Sequence, residues 1–309
     1  MEVIRGLHNL RARHSGCVVT IGNFDGIHLG HQSVLGELAE KAAEMDLSSL
    51  VMVFEPHPQE FFDAENAPAR LTRFREKVQI LRRFAVDRLL CVRFDKKFAS
   101  IPAQDFVQQI LIEKLGVRHL IIGDDFRFGH GRSGDVEMLR AAGETENFQV
   151  MNMRTFDMDG ERVSSTRIRA ALKIGELNVA EKLLGRSYRM SGRVVQGDQR
   201  GRTIGFPTAN IYLHRKVSPI TGVFAVQVFG LDDEPLQAVA NIGTRPTVDG
   251  KKCLLEVHLL DFDQDVYGRH VQVMFLCKLR EEQRFESLDD LKQQIHRDVQ
   301  AARDIFEQQ

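Results

Sequence analysis

Cysteine is scarce in this chain. Four residues, Cys17, Cys91, Cys253 and Cys277, stand far apart with no CxxC pair among them. That spacing speaks against a disulfide framework or a cysteine-bound zinc. Three of the four lie in apolar, strand-like runs, which favours buried free thiols in a reducing compartment. Long hydrophobic runs are also missing: none approaches the roughly 18–20 apolar residues that a membrane span needs. The opening residues carry no apolar core of signal-peptide length, so the expected location is cytoplasmic. Charge of one sign is not in excess. The formal net charge is −1, which removes any global electrostatic case for a nucleic-acid or membrane partner. No internal repeat or low-complexity tract is present, and nothing indicates an obligatory protein partner. What remains, 309 residues with 43% hydrophobic and 28% charged, is the composition of an ordinary globular protein long enough for two domains.

The first half alternates buried strands with helices. Cys17–Ile21 is an apolar run. Val34, Leu38, Ala42 and Met45 then recur at helical spacing. Further strand-like runs are 50–54, 89–92 and 120–122, with a helical pattern over 74–84. Pro102 is suited to open another helix, with Phe106, Ile110 and Leu111 on one face. This alternation predicts a doubly wound parallel sheet. Two short helices follow, one after Ser164-Ser165-Thr166 and one over 176–184 that ends at Gly185. The expected domain boundary lies there, dividing the chain into 1–184 and 185–309. Beyond it, strand-like segments at 192–195, 223–229, 237–242, 253–260 and 270–276 alternate with Gly, Pro and Asp turns. They predict a small antiparallel β-barrel. Leu288, Leu291, Ile295, Val299 and Ala302 form the stripe of a C-terminal helix.

Chemistry concentrates in a few stretches. Gly22-Asn23-Phe24-Asp25-Gly26-Ile27-His28-Leu29-Gly30-His31 lies between the strand at 17–21 and the first long helix, where open α/β sheets bind nucleotides. Glycines admit close approach of a phosphate, and the helix N-terminus adds N–H groups and positive potential. The pattern fits either an ATP cradle with His28 and His31 at the reacting phosphorus, or a Gly-rich turn with two solvated histidines. Zinc would need a third protein ligand, and the spacing of His57 and His130 does not demand one. Ser164, Ser165, Thr166, Arg167 and Arg169 could grip phosphate, or the hydroxyls could simply cap a helix. Phe126 and Phe128 flank Arg127 and either line a pocket for a flat heterocycle or close a core.

In the second half, Gly197, Gly201, Arg202 and Gly205 lie in a glycine- and arginine-rich loop suited to phosphate. It lacks the Lys-Ser/Thr ending of a Walker loop. Thr208 and Asn210 share one side of an extended segment and offer hard oxygens of the kind magnesium accepts. Glu256 and His258 share one face of a strand whose other face carries Leu255, Val257 and Leu259. A carboxylate there is paired, metal-bound, a base, or solvated on an exposed face.

Taken in order, GNFDGIHLGHQ (22–32), FEPHP (54–58), GDDFRFGHGRSGD (123–135), SSTRIR (164–169), GDQRGRTIGFPTAN (197–210), PITGVFAV (219–226), ANIGTRPTV (240–248), LEVHLLDF (255–262) and YGRHVQVMF (267–275) span nearly the whole chain. In this combination the sequence resembles the bacterial bifunctional riboflavin kinase/FAD synthetase family. The HxGH element alone occurs in many nucleotidyltransferases; GFPTAN followed by the Glu256 strand is far more specific. The resemblance implies a Rossmann-like nucleotidyltransferase domain followed by a barrel of the riboflavin kinase type. The barrel would phosphorylate riboflavin from ATP to FMN. The first domain would transfer AMP from a second ATP to FMN, releasing FAD and pyrophosphate. By the same likeness, Glu256 is the base for the ribityl hydroxyl, and Thr208 and Asn210 hold Mg2+ and phosphate. Gly197, Gly201, Arg202 and Gly205 complete the kinase ATP loop. His28 and His31, with Ser164, Thr166 and Arg169, stabilise charge at the α-phosphate. Gly22, Asn23, Phe24, Asp25 and Gly30 serve ATP, and Asp124, Phe126 and Phe128 the flavin. Phe224 departs from the pattern, since many members have Tyr there; no loss of activity is expected from it. A competing reading keeps the adenylyltransferase and makes the barrel a non-catalytic flavin sensor. Another makes the chain an RNA-binding protein, which the balanced charge disfavours.

Overall fold

The computed structural model describes residues 1–197, 205–215, 217–247 and 250–308; the side chains of 244–247 and 250–252 lie outside that description. The chain divides into two compact units, Met1–Pro68 with Thr72–Ser164, and Ala69–Leu71 with Ser165–Gln309.

The first unit is built on six strands: β1 (Glu2–Arg5), β2 (Cys17–Ile21), β3 (Ser48–Glu55), β4 (Arg88–Arg93), β5 (Val117–Gly123) and β6 (Gln149–Met153). They form one sheet in the order β1-β4-β3-β2-β5-β6, with every pairing parallel. Helices α1 (Leu29–Glu44), α2 (Pro58–Phe62), α3 (Phe74–Leu81), α4 (Lys96–Ala99), α5 (Ala103–Asp105) and α6 (Val136–Glu146) accompany it. The helix expected after Pro102 begins as α5 and continues with π-type bonding over Phe106–Lys114. It still buries Phe106, Ile110 and Leu111. All five residues of β2 are buried. Val19 and Ile21 enter a core cluster with Phe106, Leu111 and Phe128 on one side. Val18 joins Leu35, Leu38 and Ala42 of α1 on the other. Two-sided burial is why these strands read as continuous apolar runs. All four cysteines are free thiols, and burial pushes the Cys17 thiol up to about 12. A two-stranded ribbon, β7 (Asp157–Met158) with β8 (Glu161–Arg162), closes the unit.

Strand order fixes where a ligand can lie. From β2 the chain moves outward through β3 and β4, then returns to the opposite flank for β5 and β6. The carboxyl ends of β2 and β5 therefore border the topological switch point, where such sheets open a crevice.

The second unit begins with α7 (Ser165–Ile174) and α8 (Leu177–Leu184), the latter closed by Gly185 at φ 67. Six strands follow: β9 (Arg189–Val195), β10 (Ala209–Tyr212), β11 (Gly222–Phe229), β12 (Leu236–Thr247), β13 (Gly250–Leu259) and β14 (His270–Arg280). They close into a barrel in the order β10-β13-β12-β11-β14-β9, antiparallel throughout. Ile211, Phe224, Ala240, Ile242, Leu255 and Val257 are fully buried and fill its interior. Phe224 meets Phe275 edge-on at 5.3 Å, in a position where a tyrosine hydroxyl would need its own hydrogen-bond partner. The helix α9 (Leu288–Glu307) lies on the outer face, where Ala302 and Val299 pack with Val223, Ala225 and Val239. Leu288, expected on the buried stripe, is 65% exposed at the first turn. Among the described residues, no helix is long and apolar enough to cross a membrane.

Candidate active sites

The first candidate site starts where β2 ends. Gly22 N–H still bonds Met52 O of β3 at 3.1 Å. The chain then turns through Phe24 (φ 47), Gly26 (φ 85) and Ile27 (φ 43) into α1. Two non-glycine residues in the left-handed region mark stored strain that the surroundings must hold. The hold is visible. Asp25, 4% exposed, accepts from Thr72 N–H at 2.9 Å and from its hydroxyl at 3.3 Å. Gly26 N–H donates to the same hydroxyl at 3.0 Å. Lys77 of α3, itself buried, donates through Nζ to Asn23 O at 2.6 Å.

His28 is the N-cap of α1. Its Nδ1 accepts from His31 N–H at 3.3 Å, so the neutral ring carries its proton on Nε2. The two imidazoles stack with centroids 3.7 Å apart, and Phe24, part of the core, brings its ring within 5.0 Å of His31. A Cβ at Gly30 would stand 3.3 Å from the His28 ring and 3.4 Å from Phe156 Cβ, so that glycine keeps the approach narrow. Thr72 and Lys77 lie outside the motifs read from the sequence. Lys77 carries a signal, for it shares the helical face of Phe74, Val78 and Leu81; Thr72 carries none.

At the end of β5, Asp124 accepts from Thr155 at 2.8 Å and Asp125 pairs with Arg162 at 2.7 Å. Phe126 and Phe128 stack at 5.7 Å. Phe128 is in the core against Phe106, and Phe126 is half-buried at its margin. Gly134 makes this possible, because a Cβ there would meet the Phe128 ring at 2.5 Å. Ser164 closes the first unit and α7 opens the second. Within the second unit Thr166 is exposed, and Arg169 Nε donates to Ala69 O at 2.6 Å.

The second candidate site is on the outer wall of the barrel. Asn210 of β10 pairs with Glu256 of β13, and Glu256 with Asn241 of β12. Directly paired residues share a face, so the three form one polar row. Val195 pairs with Asn210 at one end and Val223 with Asn241 at the other. Val223 packs beside α9, which places the row on the outward face. Asn210 is buried to 8% exposure. A Cβ at Gly197 would stand 2.2 Å from its Nδ2, so only glycine lets that backbone pass over the amide. Phe206 lies edge-on to His258 at 5.4 Å and to His296 of α9 at 4.8 Å. His258 Nδ1 donates to Pro207 O at 2.8 Å. These contacts hold Phe206 and Pro207 against the face of β13 that bears His258 and Glu256, and Thr208, which follows, is half-buried. Gly205 turns at φ 91. Gly201 and Arg202 lie outside the described residues. Among the described residues, no group of three or more His, Cys, Asp or Glu is placed to hold a metal.

A nucleotide-type crevice on a parallel sheet, followed by a barrel with a carboxylate among amide and hydroxyl donors, defines a class: a two-unit enzyme of nucleotide-dependent transfer. Residues 10–167 match the FAD synthetase family model and 184–306 the riboflavin kinase family model. The bifunctional riboflavin kinase/FMN adenylyltransferase of Escherichia coli K12 is 54% identical over 307 residues, covering 99% of this chain and 98% of that protein. The protein of the same name from Haemophilus influenzae is 51% identical over 306 residues, covering 99% of each. A crystal structure described as a macrolide-efflux protein from Streptococcus pneumoniae aligns with a TM-score of 0.82 at 32% identity, covering 98% of this chain and 99% of that one. The chain belongs to the bifunctional riboflavin kinase/FMN adenylyltransferase family. It phosphorylates riboflavin to FMN and adenylylates FMN to FAD, with the domains in the order read from the sequence. The sensor reading of the barrel is not favoured.

Proposed function

We infer that the two reactions are carried by the two residue sets described above, with the functional boundary after Leu184, as domains 1–184 and 185–309. By packing, α7 and α8 belong with the barrel; by the chemistry of Ser164, Thr166 and Arg169 they serve adenylyl transfer. The substrates are riboflavin, FMN and ATP, handled in the cytoplasm without nucleic acid, membrane or obligatory protein partner.

In the barrel, Glu256 takes the proton of the terminal ribityl hydroxyl as that oxygen attacks the γ-phosphorus of ATP. An alcohol is a poor nucleophile, and a carboxylate placed at its proton lowers that barrier. The observation that carries this assignment is the in-register row Asn210–Glu256–Asn241 across three neighbouring strands of the barrel wall. Thr208 and Asn210 fit magnesium: both are hard oxygen donors, and Gly197 brings its backbone close to the Asn210 amide, where a Cβ would collide. When bound, the ion neutralises phosphoryl oxygens of ATP. Gly197, Gly201, Arg202 and Gly205 receive the phosphates.

In the first domain the nucleophile, the phosphate of FMN, is already anionic, so no base is required. The task is electrostatic. His28, donating from Nε2, and His31, with Ser164, Thr166 and Arg169, stabilise charge as the FMN phosphate attacks the α-phosphorus and pyrophosphate leaves. Gly22, Asn23, Phe24, Asp25 and Gly30 shape the ATP side; Asp124, Phe126 and Phe128 shape the flavin side.

Titrating magnesium tests the assignment of Asn210. Asn210→Ala is expected to raise the magnesium concentration for half-maximal FMN formation at least about tenfold, while the requirement for FAD formation from FMN and ATP stays put. An unchanged requirement for FMN formation removes Asn210 from the magnesium site.

A further inference from the structure

Asn241 has no role among the site residues assigned above, yet it is the residue directly opposite Glu256 on β12. Its Oδ1 is shielded from solvent and has no hydrogen-bond partner among the described residues. A buried acceptor left unmatched is destabilising, and folded proteins satisfy nearly all of them. Such an atom persists where the partner arrives with a ligand. The neighbours narrow what that ligand is. On β12 the flanking residues Ala240 and Ile242 turn into the barrel and are fully buried. On the outward face Asn241 meets Val223 on one side and Glu256 on the other. Val223 can offer no hydrogen bond, so the unmatched acceptor belongs to the Glu256 side of the row.

We propose that Asn241 is a specificity-determining residue of the phosphorylation reaction, its amide oxygen accepting a hydrogen bond from a hydroxyl of the substrate's polyol chain other than the one that reacts. The proposal rests on the reading of Glu256 as the base. Directly opposed residues on neighbouring antiparallel strands have Cα atoms about 4.5–5.5 Å apart. Two side chains at that spacing can address hydroxyls on adjacent carbons of one chain. Glu256 would take the terminal hydroxyl and Asn241 the one next to it. The pair then reads both the presence of a polyol and its depth of insertion. A flavin lacking the inner hydroxyl would leave Asn241 Oδ1 buried and unpaired, which is the situation in which enzymes discriminate most strongly.

The test compares riboflavin with a flavin whose ribityl chain lacks the hydroxyl next to the terminal one, in wild type and in Asn241→Ala, following the phosphorylated flavin. Wild type is expected to favour riboflavin at least about tenfold in kcat/KM. Asn241→Ala is expected to lose at least about tenfold in kcat/KM on riboflavin, chiefly through KM, and to treat the two flavins alike. Because the variant deletes an acceptor with no partner among the described residues, its melting temperature is expected to hold or rise; a merely structural asparagine would lower it. Equal use of both flavins by wild type overturns the proposal, and so does a variant that retains the preference; the wild-type comparison needs no variant to fold. Glu256→Gln is run alongside. If it abolishes phosphorylation while Asn241→Ala behaves as wild type, the base reading stands and the proposal falls. If Glu256→Gln phosphorylates normally, the base reading falls and takes the proposal with it.

Discussion

At the nucleotide turn, individual side chains oppose the strain of Phe24 and Ile27. Lys77 grips Asn23 O at 2.6 Å, and Asp25 is bound by Thr72 at 2.9 Å. These anchors shape the backbone of the turn without displaying any reactive group. Lys77→Met, close in length but unable to donate, is expected to lower FAD formation from FMN and ATP at least about tenfold through misplacement of the turn, and to leave FMN formation from riboflavin intact. A variant with wild-type FAD formation would show that the turn holds its shape without the ammonium. Two motif residues prove to have structural employment as well: Phe128 is a core ring, and Asp25 is a turn anchor. The core duty of Phe128 was one of the two readings its sequence left open; the anchoring of Asp25 was not legible, because it depends on Thr72, which comes from a distant part of the chain.

Among the elements, α9 is fixed to the barrel by a forked ion pair. Arg280 at the end of β14 reaches Asp298 through Nε at 2.9 Å and through a terminal nitrogen at 2.7 Å. Asp298 is 5% exposed and also accepts from Gln294 at 2.9 Å. Removing one member of a well-shielded pair strands the other, so Asp298→Ala is expected to cost about 3 kcal/mol in urea unfolding. A loss under about 1 kcal/mol would mean that water screens the pair as at an open surface. A second element-level effect belongs to the β5–β6 edge. His119 of β5 is buried, and its Nδ1 donates to Gln149 of β6 at 3.2 Å. Burial above all holds its pKa below the ordinary 6.5, with Lys41 adding to that and Gln149, Glu37 and Glu44 opposing. As pH falls through that value the unfolded chain gains a proton that the folded ring resists, so stability declines with acidification. His119→Leu is expected to lose less melting temperature than wild type between about pH 7 and about pH 5. Equal losses would place the acid sensitivity elsewhere.

The elements that the sequence announces are those with one-sided or two-sided burial. β2, β3 and β5 stand out as apolar runs, and β13 as an alternation around Glu256. β1 buries only Ile4 of its four residues, and β6 has no fully buried residue; both are sheet edges, and neither leaves a pattern to read. β10 has only four residues, too few to show a period.

Across the whole molecule, the order of the two catalytic units was legible because each carries its own motif set and its own hydrophobic period. One part of the organisation was not. Ala69–Leu71 belongs with the second unit, held there by Arg169 on Ala69 O at 2.6 Å, by Arg215 on Arg70 O, and by Tyr188 on Leu71 O at 3.2 Å. These bonds are made to backbone carbonyls, which any sequence supplies, so no residue type betrays them. Thr72, the next residue, anchors the nucleotide turn of the first unit.

The proposed division of labour sets Glu256 on the barrel to phosphorylation and His31 at the nucleotide turn to adenylyl transfer. Product analysis of His31→Ala and Glu256→Ala, each offered riboflavin with ATP and, separately, FMN with ATP, tests it directly. His31→Ala is expected to make FMN from riboflavin at the wild-type rate and to lose FAD formation by about a hundredfold or more. Glu256→Ala is expected to lose FMN formation by about a hundredfold or more and to convert supplied FMN to FAD normally. If either substitution, in folded protein, abolishes both products, the two reactions do not have separate sites and the account is wrong.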